Sequence, residues 1–174
     1  MFAIGDYVIY GRSGVCEVAD IVRRENPATG DLCDYYALSP VARQGTIYTP
    51  VDNKKVFMRP VISSEKANAL IDEIPSIEPH AIRGSSTQQL IENYRSLMSS
   101  HDCADLIGLV VSARAKQEYA EQHNRNFGHI DKRFMQEAEE LISAEFSIAL
   151  GIPKEDVNDY IAKRVEGAQE RSAN

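Results

Sequence analysis

The sequence predicts an α+β protein of two domains, in which a small antiparallel β-barrel precedes an all-α bundle of about five helices. Near Ser63 the spacing of apolar residues changes from about two to about 3.6. Turn residues are frequent before that point and sparse after it. We therefore expect one domain over residues 1–60 and a second over residues 61–174. With 43% hydrophobic and 26% charged residues, the chain can bury a core and remain in solution.

The first domain contains five short runs of β-branched and aromatic residues, and turn segments such as residues 11–14 and 26–30 separate them. Pro50 lies in the fourth run and has no N–H to donate to a β-ladder, so it marks an edge strand or a bulge. Such an edge is a candidate docking strip. The predicted strands cover residues 6–10, 15–22, 35–38, 46–51 and 56–58.

The second domain contains five amphipathic stretches with recognisable end signals. Ser63, Ser86 and Asp102 are placed to cap the first three helices, and Ser86 begins the Ser-x-x-Gln spacing of a capping box. Gly151 is placed to end the fourth helix. Residues 166–174 are expected to fray.

Charge is distributed unevenly along the chain, which carries a net charge of −7. Residues 1–60 hold seven acidic and seven basic side chains, so the acidic excess belongs to the helices. Within the helices, residues 106–133 hold five bases against three acids, whereas residues 134–174 hold nine acids against four bases. The helical domain could therefore meet a phosphate locally despite its acidic average.

No pattern in the sequence predicts catalysis. Residues 11–14 lack the length and the Lys-Ser/Thr ending of a phosphate-binding loop, and the four histidines lack metal-ligand spacing. Cys16, Cys33 and Cys103 are an odd number without a CxxC pair, so reduced thiols are expected. We expect no enzyme activity, no metal, no cofactor and no small-molecule substrate.

The sequence also favours a cytoplasmic protein without membrane contact. No stretch approaches the roughly 18 apolar residues that a membrane span needs. Asp6 interrupts the N-terminal segment where a signal peptide would be apolar.

Several short motifs follow one another along the chain in a fixed order. They are Phe2, GDYVIY at 5–10, Gly14, Val15, Val18, Ile21, YYAL at 35–38, YTPV at 48–51, Met135, Ala138, Leu141 and Glu145. Taken in this order and spacing, these residues resemble the CarD/CdnL family of bacterial transcription regulators, whose first domain is similar to the RNA polymerase-interacting module of the transcription-repair coupling factor. The resemblance extends into the helices, where the segment from Leu97 to Leu106 is similar to a helix-break-helix of the family.

The resemblance implies a Tudor-like or SH3-like barrel that docks on the β subunit of RNA polymerase by β-strand addition. An arginine after the second long strand, which is Arg24, and a residue two before the proline, which is Tyr48, would contact the polymerase. Pro50 and Val51 complete the predicted polymerase-binding set.

In the family, the helical domain contacts promoter DNA at the upstream edge of the melted region and stabilises the open complex without reading bases. The family's Trp at the start of the second bundle helix would fall near residues 86–89, but this chain contains no Trp. We therefore expect a weak, non-specific and salt-dependent DNA contact. The predicted DNA-binding residues are Arg114, Arg125, Lys132 and Arg133.

The sequence leaves a second interpretation open. The protein would bind RNA polymerase as an adaptor, and its acidic helical domain would contact another protein instead of DNA. The absence of Trp and the acidic excess of residues 61–174 favour this alternative.

Overall fold

A computed structural model describes residues 1–173. The chain divides into two compact units, Met1–Ile62 and Ser63–Asn174. The first unit is a β-sheet and the second a set of five helices, as the change in apolar spacing predicts.

The first unit is a five-stranded sheet in which every neighbouring pair of strands is antiparallel. The strand order is β4-β3-β2-β1-β5. The sheet is open, with β4 and β5 at its two edges, so the expected closed barrel is not confirmed. The strands are β1 (Tyr7–Tyr10), β2 (Val15–Glu25), β3 (Leu32–Pro40), β4 (Ile47–Pro50) and β5 (Met58–Pro60).

Strands β2 and β3 extend further than the sequence pattern predicts. Their ladder continues to the pair of Glu25 with Leu32. Beyond it, Asn26 closes the hairpin, because its N–H donates to the Asp31 carbonyl oxygen over 2.8 Å and its side chain accepts from Ala28 N over 2.9 Å. This end of the hairpin is largely exposed on both faces, so the sequence shows no alternation of apolar and polar residues there. Arg24 consequently lies within a strand.

One face of the sheet forms the core of the first unit. Its fully buried side chains are at most 1% exposed, and the Tyr36 hydroxyl accepts a hydrogen bond from Phe2 N over 2.8 Å. Tying the N-terminus to the sheet in this way satisfies a buried phenol and covers the apolar face. The core residues are Val8, Cys16, Val18, Tyr36 and Leu38, with Phe2, Tyr10, Ile21, Ile47, Val51 and Met58 packed against them.

The predicted caps of the second unit are confirmed. Ser63, Ser86 and Asp102 accept hydrogen bonds from N–H groups in the first turns of their helices, at 3.1, 3.2 and 2.7 Å. Gly151 adopts φ 65° and ends the fourth helix. The helices are α1 (Ser64–Glu73), α2 (Thr87–Met98), α3 (Cys103–Gln122), α4 (His129–Leu150) and α5 (Val157–Ser172).

A buried carboxylate joins α2, α3 and α4. Asp131 is 4% exposed and accepts from the Tyr94 hydroxyl over 2.6 Å and from Lys116 Nζ over 2.7 Å. The fully buried Tyr94 ring also stacks on Phe134, with ring centroids 4.8 Å apart. Burial raises the pKa of Tyr94, and the Asp131 carboxylate raises it further, so the hydroxyl keeps its proton.

The N-terminal half of helix α5 is held to α1 by side-chain hydrogen bonds. Arg164 donates to both oxygens of Asp72 over 2.8 and 2.7 Å, and the Tyr160 hydroxyl donates to Asn68 over 2.7 Å. The hydrogen bond from Arg164 holds the pKa of Asp72 below its ordinary value. This pair therefore stabilises the fold above the ordinary pKa, and the stabilisation is lost as the pH falls through the lowered pKa.

The prediction that residues 166–174 fray is wrong over most of its length, because α5 is helical through Ser172. Asn174 lies outside the described residues.

Removing the shared carboxylate should destabilise the helical unit. In Asp131→Ala the buried Tyr94 hydroxyl loses its acceptor, which costs about 1–3 kcal/mol. The Lys116 side chain is 39% exposed and can turn to water, so its loss adds less. We expect the free energy of unfolding, followed in urea by circular dichroism at 222 nm, to fall by about 2–3 kcal/mol. Glu137→Ala, at an exposed site on the same helix, is the control, and an equal loss in both variants would contradict the prediction.

Candidate functional site

Arg24, Cys33, Tyr35 and Tyr48 form a patch on the face of the sheet opposite the core, which we call the β2–β4 patch. Arg24 is opposite Cys33 in the β2–β3 ladder, and Tyr48 is opposite Ala37 in the β3–β4 ladder. Residues directly opposite each other share a face, and so do residues two apart in one strand. Cys33, Tyr35 and Ala37 of β3 therefore connect Arg24 to Tyr48.

The two exposed members of the patch are in direct contact. The guanidinium carbon of Arg24 lies 4.1 Å from the centroid of the Tyr48 ring. A cation–π contact of this kind contributes about 0.5–1 kcal/mol at an exposed site. Tyr48 is 49% exposed, so the pair presents a charged and aromatic surface to solvent. Both residues were predicted from the sequence as polymerase contacts, and the structure brings them together.

The Arg24–Tyr48 pair also covers Tyr35. Tyr35 occupies the β3 position between those opposite Arg24 and Tyr48, and it is only 8% exposed although it faces away from the core. Burial raises the pKa of Tyr35 and the neighbouring Cys33 raises it further, whereas Arg24 lowers it. Tyr35 is thus an uncharged, buried side chain that lies beneath the exposed Arg24 and Tyr48.

The free edge of β4 passes through Tyr48. Val51 N donates to the Asp34 carbonyl oxygen over 2.9 Å, which makes this residue pair hydrogen-bonded. Hydrogen-bonded and non-hydrogen-bonded pairs alternate along an antiparallel ladder, so the main-chain groups of Tyr48 and Pro50 point away from β3. Pro50 has no N–H, and its carbonyl oxygen accepts from Asn53 N over 3.0 Å. Tyr48 therefore presents both an outward N–H and an outward carbonyl for a further strand.

Val51 contributes to the packing of the sheet and not to the exposed patch. It packs against the hydrophobic core of the sheet, and its N–H pairs with β3. Its side chain is therefore engaged within the unit, while Pro50 remains half-buried at the edge. Of the predicted polymerase-binding residues, Arg24 and Tyr48 form the accessible surface.

The predicted DNA-binding residues differ in their contacts. Arg114 donates to Glu139 Oε1 through Nε and one terminal nitrogen, over 3.2 and 2.6 Å. Its charge is therefore compensated by an acidic residue of α4. Arg125 instead lines a separate cleft beside α3.

Lys132 and Arg133 are exposed neighbours in the first two turns of α4. The guanidinium of Arg133 lies 4.7 Å from the centroid of the Phe134 ring. The helical spacing places Glu137 and Glu140 on the same face as Arg133, at i+4 and i+7. A phosphate that approaches Arg133 would therefore meet the Glu137 carboxylate one turn further along the helix, whereas Glu140, two turns along, is paired with Lys154.

The start of α2 carries no aromatic side chain. Ser86 caps the helix, and Gln89 Oε1 accepts from Ser85 N and Ser85 Oγ over 2.9 and 2.6 Å. In the expected capping box the Gln89 side chain would accept from the N–H of Ser86, whereas here it accepts from the N–H of Ser85, one residue earlier. Residues 86–89, where the family's Trp would fall, therefore offer no aromatic ring to insert between bases.

The cleft at Arg125 contains residues that the sequence analysis did not select, among them Arg83, Lys116 and Tyr119. Arg83 lies in the segment before α2, whereas Lys116 and Tyr119 lie on α3, so only the folded unit brings them together. One available signal was the spacing of Tyr119 and His123 at i and i+4, which puts two rings on one helix face.

Within residues 1–173 there is no group of three or more His, Cys, Asp and Glu side chains that could hold a metal ion. Over the same residues, every helix is too short or too polar for a transmembrane segment.

Residues 2–62 match the family of the CarD-like/TRCF RID domain. This match spans the whole sheet, including the β2–β4 patch, and it confirms the resemblance for the N-terminal unit. It ends where the helices begin, so the likeness of residues 63–174 to the CarD family stays a prediction. No curated protein matches the chain.

Thiol reactivity should separate the patch from the core. Burial raises the pKa of Cys16 to about 11, so at pH 8 it remains a protonated thiol. Cys103 is 2% exposed and donates to Glu145 over 2.9 Å, whereas Cys33 is half-buried on the patch. We expect Ellman's reagent at pH 8 to modify Cys33 rapidly and the other two only after unfolding. The rapid phase should be absent in Cys33→Ser, and a rapid phase that survives in that variant would contradict the assignment.

Proposed function

Because the N-terminal unit is a CarD-like/TRCF RID domain, which implies interaction with RNA polymerase, we propose that this protein is a bacterial transcription regulator that binds the polymerase β subunit through its β2–β4 patch. The observation that carries the proposal is the stacking of Arg24 on Tyr48 beside the free edge of β4. Such a regulator acts in the cytoplasm and works by binding, without catalysis.

The edge of β4 supports docking by strand addition. A β-subunit strand placed beside β4 would pair with the outward N–H and carbonyl of Tyr48, which supply the main-chain part of the contact. Its side chains on the patch face would then meet the Arg24 guanidinium and the Tyr48 ring. Arginine and tyrosine are enriched among the residues that dominate binding energy at interfaces. Because their contact already exists in the free protein, less side-chain entropy is lost on binding.

We propose further that the helical unit contacts promoter DNA through Lys132 and Arg133. Both cations are exposed, and they lie at the N-terminal end of α4, where the helix dipole also favours phosphate. The contact would be to the DNA backbone and therefore non-specific. Binding the open complex more tightly than the closed one would shift the population towards the open complex, by tenfold for each 1.4 kcal/mol of difference.

The second candidate function is that of an adaptor, whose acidic helical unit contacts a protein instead of DNA. The pairing of Arg114 with Glu139 favours it, because one of the expected phosphate contacts is already neutralised. The position of Glu137 on the Arg133 face favours it as well.

Charge reversal at Arg24 should weaken polymerase binding. Arg24→Glu removes the stacking on Tyr48 and places a negative charge on the patch, so we expect the Kd for the purified β subunit to rise at least tenfold, about 1.4 kcal/mol. Biolayer interferometry measures this directly. Arg12→Glu is the matched control, because it lies beyond the opposite end of β2, about 30 Å along the strand. Equal weakening by both variants would show that net charge, and not the patch, governs binding.

Charge reversal at the start of α4 should decide between DNA and a protein partner. We expect Lys132→Glu with Arg133→Glu to shorten the lifetime of promoter complexes, because two phosphate contacts are lost. The salt dependence of log K should become shallower by about 1.8. Arg95→Glu with Lys163→Glu makes the same change in net charge at exposed sites on α2 and α5. If only polymerase binding matters, both double variants will behave like the unmodified protein, and the adaptor function is supported.

A further inference from the structure

The helical unit contains a cleft of about 440 Å³ that the proposed polymerase and DNA contacts do not use. Its walls are residues 79–83, the C-terminal half of α3, and Arg125 with Asn126. Much of its surface is apolar, from side chains such as Ile82, Ala115 and Ala120. A volume of this size and an apolar lining with a few polar groups are typical of small-molecule sites.

The charge of the cleft is positive. Arg83, Lys116 and Arg125 are among the described lining residues, and no carboxylate is. The ammonium of Lys116 is compensated by Asp131 at 2.7 Å. Within the described part of the chain, the side chains of Arg83 and Arg125 have no carboxylate partner. Two uncompensated cations beside one cleft, in a chain of net charge −7, indicate an anionic ligand.

The wall formed by residues 79–83 is held in place before any ligand arrives. His80 N donates to Ser112 Oγ over 3.0 Å, and Lys116 Nζ donates to the Ile82 carbonyl oxygen over 3.2 Å. Asn93 of α2 donates to the Arg83 carbonyl oxygen over 2.5 Å. Next to it, a Cβ on Gly84 would lie 2.5 Å from Leu90 N, so this turn packs closely against α2. The cleft is therefore preformed, and ordering it costs a ligand little free energy.

The opposite wall offers an aromatic face. Tyr119 is 53% exposed and stacks on His123, with ring centroids 4.0 Å apart and an interplanar angle of 27°. His123 Nδ1 lies 2.8 Å from the Tyr119 carbonyl oxygen, which helps to orient its ring. Arg125 N donates to the Ala120 carbonyl oxygen over 2.7 Å and holds the following loop against α3. A planar ring entering the cleft could thus stack on Tyr119 next to Arg125.

From this combination we propose that the cleft binds a free nucleotide. The guanidinium groups of Arg83 and Arg125 hold its phosphates by charge-assisted hydrogen bonds. The Tyr119 ring stacks on its base, and the apolar wall excludes water from one side of it. The described lining of the cleft includes no residue of the β2–β4 patch and neither Lys132 nor Arg133, so the proposal does not depend on polymerase or DNA binding.

Calorimetric titration of the full chain tests the proposal. The four common nucleoside triphosphates, adenosine and inorganic phosphate are titrated separately at equal ionic strength, without divalent cations. We expect saturable one-to-one binding of at least one triphosphate, and at least tenfold weaker binding of adenosine and of inorganic phosphate. Absence of saturable triphosphate binding would overturn the proposal. Equal affinity for inorganic phosphate would overturn the role of the base.

Variants locate the site. Tyr119→Ala and Arg125→Glu should each raise the Kd at least tenfold, while Arg95→Glu, an exposed arginine of α2 outside the cleft lining, should leave it unchanged. Arg83→Gln is a second probe of the phosphate contact, and thermal unfolding verifies that each variant is folded. Unchanged binding in Tyr119→Ala and Arg125→Glu would overturn the assignment. So would a single-stranded oligonucleotide that displaces the nucleotide and binds the cleft more tightly, since the occupant would then be nucleic acid.

Discussion

The helical unit depends on the buried carboxylate of Asp131. A buried carboxylate is costly unless hydrogen bonds and an opposite charge compensate it, and here a phenol from α2 and an ammonium from α3 do so. Hydrogen bonding to one carboxylate fixes the positions of the Tyr94 hydroxyl and the Lys116 ammonium, and therefore the register of α2 and α3 against α4. It also reaches the surface, because Lys116 uses a further N–H to hold the Ile82 carbonyl oxygen in the wall of the cleft. One wall of the cleft is thus tied, through Lys116, to the carboxylate that joins the three helices.

In the sheet, the corresponding constraint is the length of the β2–β3 hairpin. Its continuation past the apolar alternation carries Arg24 far enough along β2 to reach over Tyr35 to Tyr48. If β2 ended at Val22, Arg24 would belong to a loop, and its side chain would have no fixed relation to the edge strand. The same geometry buries Tyr35 on a face that would otherwise be open to water. Arg24 and Tyr48 therefore form the exposed surface of the patch and also cover the buried Tyr35 side chain.

Local chemistry made part of this molecule predictable. Ser63, Ser86, Asp102 and Gly151 act within a few residues of themselves, so the sequence alone was enough to place the helix ends. The resemblance to the CarD family singled out Arg24 and Tyr48, which the structure places in contact, and their role in polymerase binding stays a prediction. Partners distant in the chain were not predictable. The acceptor of Arg114 lies 25 residues away on another helix, and the residues of the cleft come from three separate segments. Whether the sheet closes depends on pairing between its edge strands, and the alternation of apolar residues does not predict that pairing.

Net charge proves a poor guide to what this protein can bind, because its arginines serve different ends. One stacks on an aromatic ring at an edge strand, one is neutralised by a glutamate, and two remain uncompensated at a preformed cleft. Each of these arginines adds the same charge to the net charge of the chain. The electrostatic field that a ligand meets, however, depends on the charged groups nearest to it, since charges beyond about 8–10 Å are screened at physiological salt. An acidic surface elsewhere on the helices does not cancel the attraction of Arg83 and Arg125 for phosphate. The acidic surface instead limits where a long polyanion such as DNA can lie, because such a ligand must extend past the glutamates of α4. A ligand small enough to fit the cleft does not meet these glutamates.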